Sequence, residues 1–160
     1  MTEMRYPALA LVSFFALTGF NSFGPVKESN YQALAAAQLP SDAGEVVMAG
    51  PGTWDANMNG FAQVLARTST LSGSLVITKN GVYFQQWIEP ENRYDTMLFI
   101  LHRDIASLRM SEFGRSVVVV VKKKDLSVTS ISFMTGPAGM IDKDRTRQAF
   151  EVLKAQLAVR

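Results

Sequence analysis

TLSGSLVITKNGVYFQQW, residues 70–87, decides how this chain is read. Leu75 and Ile77 alternate with Ser74, Val76 and Thr78 ahead of Lys79-Asn80-Gly81, and Val82 and Phe84 alternate with Tyr83 and Gln85 behind it. Two-residue periodicity on both sides of Asn-Gly, a dipeptide that tolerates the positive φ of a tight turn, predicts a β-hairpin.

Downstream of the hairpin, residues 88–95 (IEPENRYD) are polar and contain Pro90, which predicts a loop. Residues 96–101 read as an apolar strand, His102-Arg103-Asp104 as a corner, residues 105–111 as a further strand and residues 112–115 as a turn. Residues 116–123 include five consecutive valines, whose stiff branched side chains suit a pleated strand. Lys124-Asp125 turns the chain and residues 126–134 return as the partner strand. Gly136-Pro137-Ala138-Gly139 then ends the sheet and a helix follows, with Asp142 or Asp144 as its N-cap. Ala149, Phe150, Leu153 and Leu157 form its apolar face, and Arg145, Arg147, Gln148, Glu151 and Lys154 its polar one.

Upstream the signals are weaker. Residues 45–49 (EVVMA) predict a short strand ended by Gly50-Pro51-Gly52, and residues 24–42 read as a spacer with up to two helical turns in its Ala-rich part. Trp54, Met58, Phe61 and Leu65 share helical spacing, so residues 53–67 predict a helix; Asn57, Asn59 and Gly60 oppose it, with a strand over residues 61–66 as the competing reading.

Residues 8–20 (ALALVSFFALTGF) form a 13-residue apolar run behind Arg5. Spanning a bilayer takes about 20 such residues, so the run reads as the hydrophobic part of a signal peptide. Its end resembles the lipobox of bacterial lipoproteins, Leu17-Thr18-Gly19, with Phe20 where the lipidated cysteine would stand. A phenyl ring accepts no thioether, so this chain is not lipidated there. Ser22-Phe23-Gly24 offers small residues for an ordinary signal peptidase, although Pro25 follows directly. The expected address is outside the cytoplasm, in the periplasm or cell envelope and membrane-associated.

The order of elements, with G-x-L-x-I-T-x-N-G-V-Y-F at residues 73–84 and Asp104-Ile105 at the corner, resembles the pleckstrin-homology-like superfold in its GRAM-like or bacterial variety. That resemblance covers residues 44–157 and implies an α+β, mainly antiparallel fold: a partly open barrel capped by the C-terminal amphipathic helix. It divides the chain into a signal-peptide-like segment (1–24), a linker (25–43) and one domain (44–160).

The 160 residues suit a single domain, and 48% apolar with 19% charged composition suits a globular one. The absence of cysteine excludes disulfides and thiol chemistry. His102 is the sole histidine, no Gly-x-Ser-x-Gly elbow occurs, and Gly136 to Gly139 lacks the spacing and the lysine of a phosphate loop. Glu89 and Glu91 read as solvated loop carboxylates, Asp142 and Asp144 as caps. No catalytic residue, metal site or cofactor is therefore expected, and the chain is read as a non-enzyme.

Binding is the better class. Lys122, Lys123 and Lys124 at one hairpin tip, Lys79 at another and Arg115 at the start of the valine strand compose a basic rim suited to anionic lipid head groups. The same lysines also keep strand ends soluble. Lipid-binding members of the resembled family carry several basic residues around the first hairpin, and here only Lys79 stands there. The leading expectation is a membrane-proximal module that recruits a protein or peptide along a sheet edge. The alternative is a lipid or envelope-component binder using the barrel mouth. Nucleic acid is not an expected partner, because no aromatic residues flank the basic cluster.

Overall fold

The structure, a computed structural model, describes residues 22–56, 70–137 and 139–159. Helix α1 (Tyr31–Ala37) precedes seven strands, β1 (Val46–Ala56), β2 (Thr70–Thr78), β3 (Gly81–Ile88), β4 (Arg93–Leu101), β5 (Ile105–Phe113), β6 (Ser116–Lys123) and β7 (Val128–Phe133), and helix α2 (Lys143–Ala158) closes the chain. Every pairing is antiparallel and the strand order is β4-β3-β2-β1-β7-β6-β5. β1 joins the two halves, pairing with β2 along its length and with β7 from Gly52 to Ala56. The fold is α+β, a partly open barrel whose β4 and β5 edges stay unjoined and whose end α2 caps.

Alternation explains the core. Leu75, Ile77, Val82 and Phe84 of the central hairpin meet Val119, Val121, Ile131 and Phe133 of the other half, and Ala149 and Leu153 of α2 close the cluster. Phe150 and Leu157 are half-buried against it. Asp142 caps α2, its carboxylate accepting from the Arg145 amide at 3.0 Å. Arg145 departs from the polar face expected of it: its guanidinium lies 5.1 Å from the Phe133 ring centroid and donates to the Ala49 carbonyl. A Cβ on Gly50 would meet that guanidinium at 2.9 Å, so the glycine makes the room.

Several local expectations are corrected. Gly50-Pro51-Gly52 does not end a strand; β1 runs through it, and a Cβ on Gly52 would sit 2.7 Å from the Ser132 carbonyl oxygen. Thr53 to Ala56 are strand rather than helix, and residues 57–67, with the rest of that helix and the competing strand, lie outside the described residues. Most of residues 88–95 is not loop: β3 reaches Ile88, a single 3-10 turn spans Glu89–Glu91, and β4 begins at Arg93 because Asn92 takes up a left-handed conformation at φ 48°. β5 extends to Phe113, leaving only Gly114-Arg115 as the turn.

The central hairpin closes where expected but by another device. Neither Asn80 nor Gly81 has a positive φ. The Thr78 hydroxyl accepts from the amides of Asn80 and Gly81 at 3.2 and 3.1 Å, and Gly81 is needed because a Cβ would approach the Ile100 carbonyl oxygen to 2.8 Å.

Residues 25–43, read as a linker, are packed on the outer face of β1 to β4. Tyr31, Ala35 and Ala43 form a second apolar cluster with Ala49, Val76, Tyr83 and Tyr94. Polar bonds pin the segment and the residues just before it: Trp87 N to Ser22 O (3.0 Å), Tyr94 Oη to Phe23 O (2.7 Å), Gln85 Nε2 to Ala35 O (3.0 Å) and Asn80 Nδ2 to Asp42 O (2.8 Å). The proposed signal segment, residues 1–21, lies outside the described residues.

Candidate functional site

Four of the five expected basic residues gather at one end of the barrel. Lys79 sits on the β2–β3 turn, where the Asn80 carbonyl accepts from the His102 amide at 2.9 Å; two residues on, the Asp104 carbonyl accepts from the Lys124 amide at 2.8 Å. The His102–Asp104 corner thus ties the Lys79 turn to the Lys122, Lys123 and Lys124 turn and adds the exposed Arg103 between them. Arg115 is not part of this rim. It stands at the opposite end of β6, in a separate groove of about 670 Å³ on the outer face, with Lys143 and Asp55.

The rim is nearly neutral. Lys79 Nζ lies 2.5 Å from Glu45 Oε2, which holds that carboxyl below its usual range, and Lys123 Nζ lies 3.1 Å from Asp125 Oδ2. Asp125 also accepts from the Ser127 hydroxyl (2.6 Å) and amide (2.9 Å), and these bonds, more than the lysine, bring its pKa down to about 2. Asp42 and Asp104 further offset the cations. Arg103, Lys122 and Lys124 form no ion pair among the described residues. So balanced a set projects little long-range field.

Beside the rim the barrel is open. A cleft of about 190 Å³ between β4 and the β6–β7 hairpin is lined by Trp54, Leu98, Phe99, Ile100, Lys123, Ser127, Val128 and Thr129. Large apolar side chains flank it in solvent: Met97 is 52% exposed, Phe99 58% and Leu126 69%. Phe99 stacks on Tyr83 with ring centroids 6.0 Å apart, so its ring is held in place although exposed. Leu126 adopts φ 70°, a strained conformation for a residue with a Cβ.

The two free edges differ in protection. Across β5, Arg147 of α2 reaches Glu112 through two bonds of 3.0 and 3.1 Å, and Arg109 and Ser107 add polar cover. β4 presents Met97 and Phe99 instead, and among the described residues its backbone pairs only with β3. Sequence reading missed Met97, Phe99, Leu126 and Arg103. A bulge opposite Phe84 and Gln85 breaks the alternation of β4, so no apolar face could be read there; Arg103 was visible as part of the corner.

Among the described residues, no cluster of three or more His, Cys, Asp or Glu side chains is placed to hold a metal ion, and no helix is long and apolar enough to cross a membrane. His102 is buried at the corner, 1% exposed.

No protein-family model matches the chain, and no curated protein matches it. Solved structures do. One of Vav1 inhibited by an allosteric inhibitor superposes with a TM-score of 0.57 at 10% identity, covering 82% of this chain and 32% of that one. A second, of the Vav1 exchange factor described for the structural role of its PH and C1 domains, gives 0.50 at 8% identity, covering 74% and 27%. The hSac2 domain of the human phosphoinositide phosphatase Sac2 gives 0.49 at 12% identity over 81% and 79%. This chain spans about a third of the length of the Vav1 chains it matches. With the strand order and capping helix described above, the Vav1 likeness shows that the chain has a pleckstrin-homology-like fold.

Proposed function

We propose that the chain is an exported, membrane-proximal and non-enzymatic binding module that takes an extended segment of a protein partner along β4. The observation that carries this reading is the juxtaposition of an unprotected edge strand, the exposed Met97 and Phe99 upon it, and an adjoining cleft that reaches Trp54. An added strand would satisfy the free backbone groups of β4, and an apolar side chain from it would enter the cleft. The strained, exposed Leu126 on the facing hairpin supports the same reading, since such strain persists where it serves a site. The export part rests on residues 8–20 of the sequence.

Peptides selected from a random display library against the domain test this. Phe99→Asp should weaken the selected peptides about tenfold or more, as loss of an anchoring aromatic contact does, while Arg115→Ala leaves them unchanged. The reverse ranking would sink the proposal. Arg103, Lys122 and Lys124, which form no ion pair among the described residues, favour a second reading, a lipid or envelope-component binder working through the rim. Salt-sensitive sedimentation with anionic but not neutral vesicles, lost when Lys122, Lys123 and Lys124 are all changed to Glu, would favour that alternative.

A further inference from the structure

We infer that the partner segment is polarised along its length, with acidic residues ahead of an alternating apolar centre and basic residues behind it, and that it runs antiparallel to β4. Strand addition along β4, the proposed function, is the premise.

The open edge carries opposite charge at its two ends. Where β4 begins, the exposed Glu89 and Glu91 of the 3-10 turn and the half-buried Asp95 stand beside a single cation, Arg93. That guanidinium is shared between Glu91 at 2.5 Å and Asp95 at 3.3 Å, which leaves the acids in excess, with Glu89 in no ion pair among the described residues. Where β4 ends, the chain turns through the exposed Arg103, and the Asp104 carbonyl accepts from the Lys124 amide at 2.8 Å, which brings the β6–β7 turn alongside. There Arg103 and Lys122 to Lys124 outnumber Asp104, Asp125 and Asp42, the last of which shares a small hollow with Arg103. The excess is small, so it acts on groups in contact with it rather than at long range.

Between these ends the edge is apolar. Met97 and Phe99 are exposed upon it, and Leu98 and Ile100 line the cleft that Lys123 and Ser127 border from the facing hairpin. β4 spans Arg93–Leu101, roughly 27 Å at about 3.4 Å per residue. That is several times the screening length of about 8 Å at physiological salt, so the two charged ends act on different residues of one bound strand. Every pairing in the sheet is antiparallel, and antiparallel pairs are slightly the more stable per residue, so an added strand runs opposite to β4. Its first residues then lie beside Arg103, Lys122 and Lys124, where carboxylates meet cations. Its last residues lie beside Glu89, Glu91 and Asp95, where lysine or arginine meets carboxylates, and an apolar side chain midway enters the cleft. A strand with the reverse charge order would set like charges together at both ends.

Two synthetic peptides of one composition test this by fluorescence anisotropy on the full chain in non-ionic detergent. Both carry the same palindromic centre of valine, threonine and phenylalanine; one has glutamates before it and lysines after it, the other the reverse. The glutamate-first peptide should bind about tenfold more tightly at about 0.01 M salt, the size of effect that a few exposed ion pairs give, and nearly equally at about 1 M, where screening acts within about 3 Å. Lys122→Glu together with Lys124→Glu, both at exposed positions, should shrink the preference to about twofold or less, and Phe99→Asp should release both peptides. Equal binding at low salt, a preference for the lysine-first peptide, or a preference that survives the two lysine changes overturns the inference; where Phe99→Asp still releases both peptides, binding along β4 stands. Binding of neither peptide, or binding that Phe99→Asp leaves unchanged, overturns that reading as well.

Discussion

Tyr94 and Tyr83 are both buried on the outer face of the first sheet, and only one of their hydroxyls has a job. Tyr94 Oη donates to the Phe23 carbonyl at 2.7 Å, whereas Tyr83 Oη has no hydrogen-bond partner among the described residues. Changing each to Phe removes the same atom from a comparable environment, less than 2% exposed in both. Tyr94→Phe strands a buried carbonyl and should cost about 1–3 kcal/mol. For a domain of this size that is a fall in Tm of roughly 3–10 °C. Tyr83→Phe removes a desolvated hydroxyl that gains nothing in return, and should be neutral or stabilising by up to about 1 kcal/mol. Thermal melts followed by circular dichroism give both values, and amide exchange at Trp87, whose N–H donates to Ser22, reports whether residues 22–24 have loosened. Equal effects of the two substitutions, or Tyr94→Phe without faster exchange at Trp87, would refute the claim that this segment is part of the fold.

Burial raises the Tyr94 phenol above its ordinary value of 10, so its contribution is intact below about pH 10 and is lost as the pH climbs through the raised value; Tyr94→Phe should therefore flatten the alkaline fall in stability. Asp125 has the opposite sign. With its pKa lowered to about 2, the support it gives the β6–β7 turn is complete above its unfolded pKa of roughly 4 and is lost as the pH falls towards 2, which carboxyl-carbon NMR shifts would follow. Leu153→Ala, at a fully buried position beneath α2, should cost about 2–5 kcal/mol in urea unfolding; a loss under 1 kcal/mol would mean that α2 does not cap the barrel. Gly52→Ala should destabilise severely, since its Cβ would meet the Ser132 carbonyl oxygen at 2.7 Å and Leu75 Cβ at 2.9 Å, and soluble yield together with the unfolding midpoint checks it.

The barrel was legible because its decisive signals are local and redundant. Alternation around Asn80-Gly81, five valines in a row and an amphipathic closing helix each name an element without help from the rest. What the sequence concealed depends on long-range contact. Gly50-Pro51-Gly52 looks like a terminator until Arg145 and Ser132 are seen to occupy the space a side chain would need. An Ala-rich stretch looks like a spacer until Tyr31 and Ala35 are found on Val76 and Tyr83. The candidate site was half legible. Lysines at turns announce themselves, and Lys79 and Lys122 to Lys124 do share a rim, but Arg115 is separated from them by the length of β6. Met97 and Phe99 could not be picked out, because a one-residue bulge in β4 decides which of its apolar residues face solvent.

The most direct measurement is amide hydrogen exchange across the whole domain with and without a display-selected peptide. Binding along the open edge predicts new protection in β4 at residues 97–101 and in the facing hairpin at residues 123–129, with β5 and α2 unchanged. Protection confined to β5 and α2, or to the groove around Arg115 and Lys143, would contradict it.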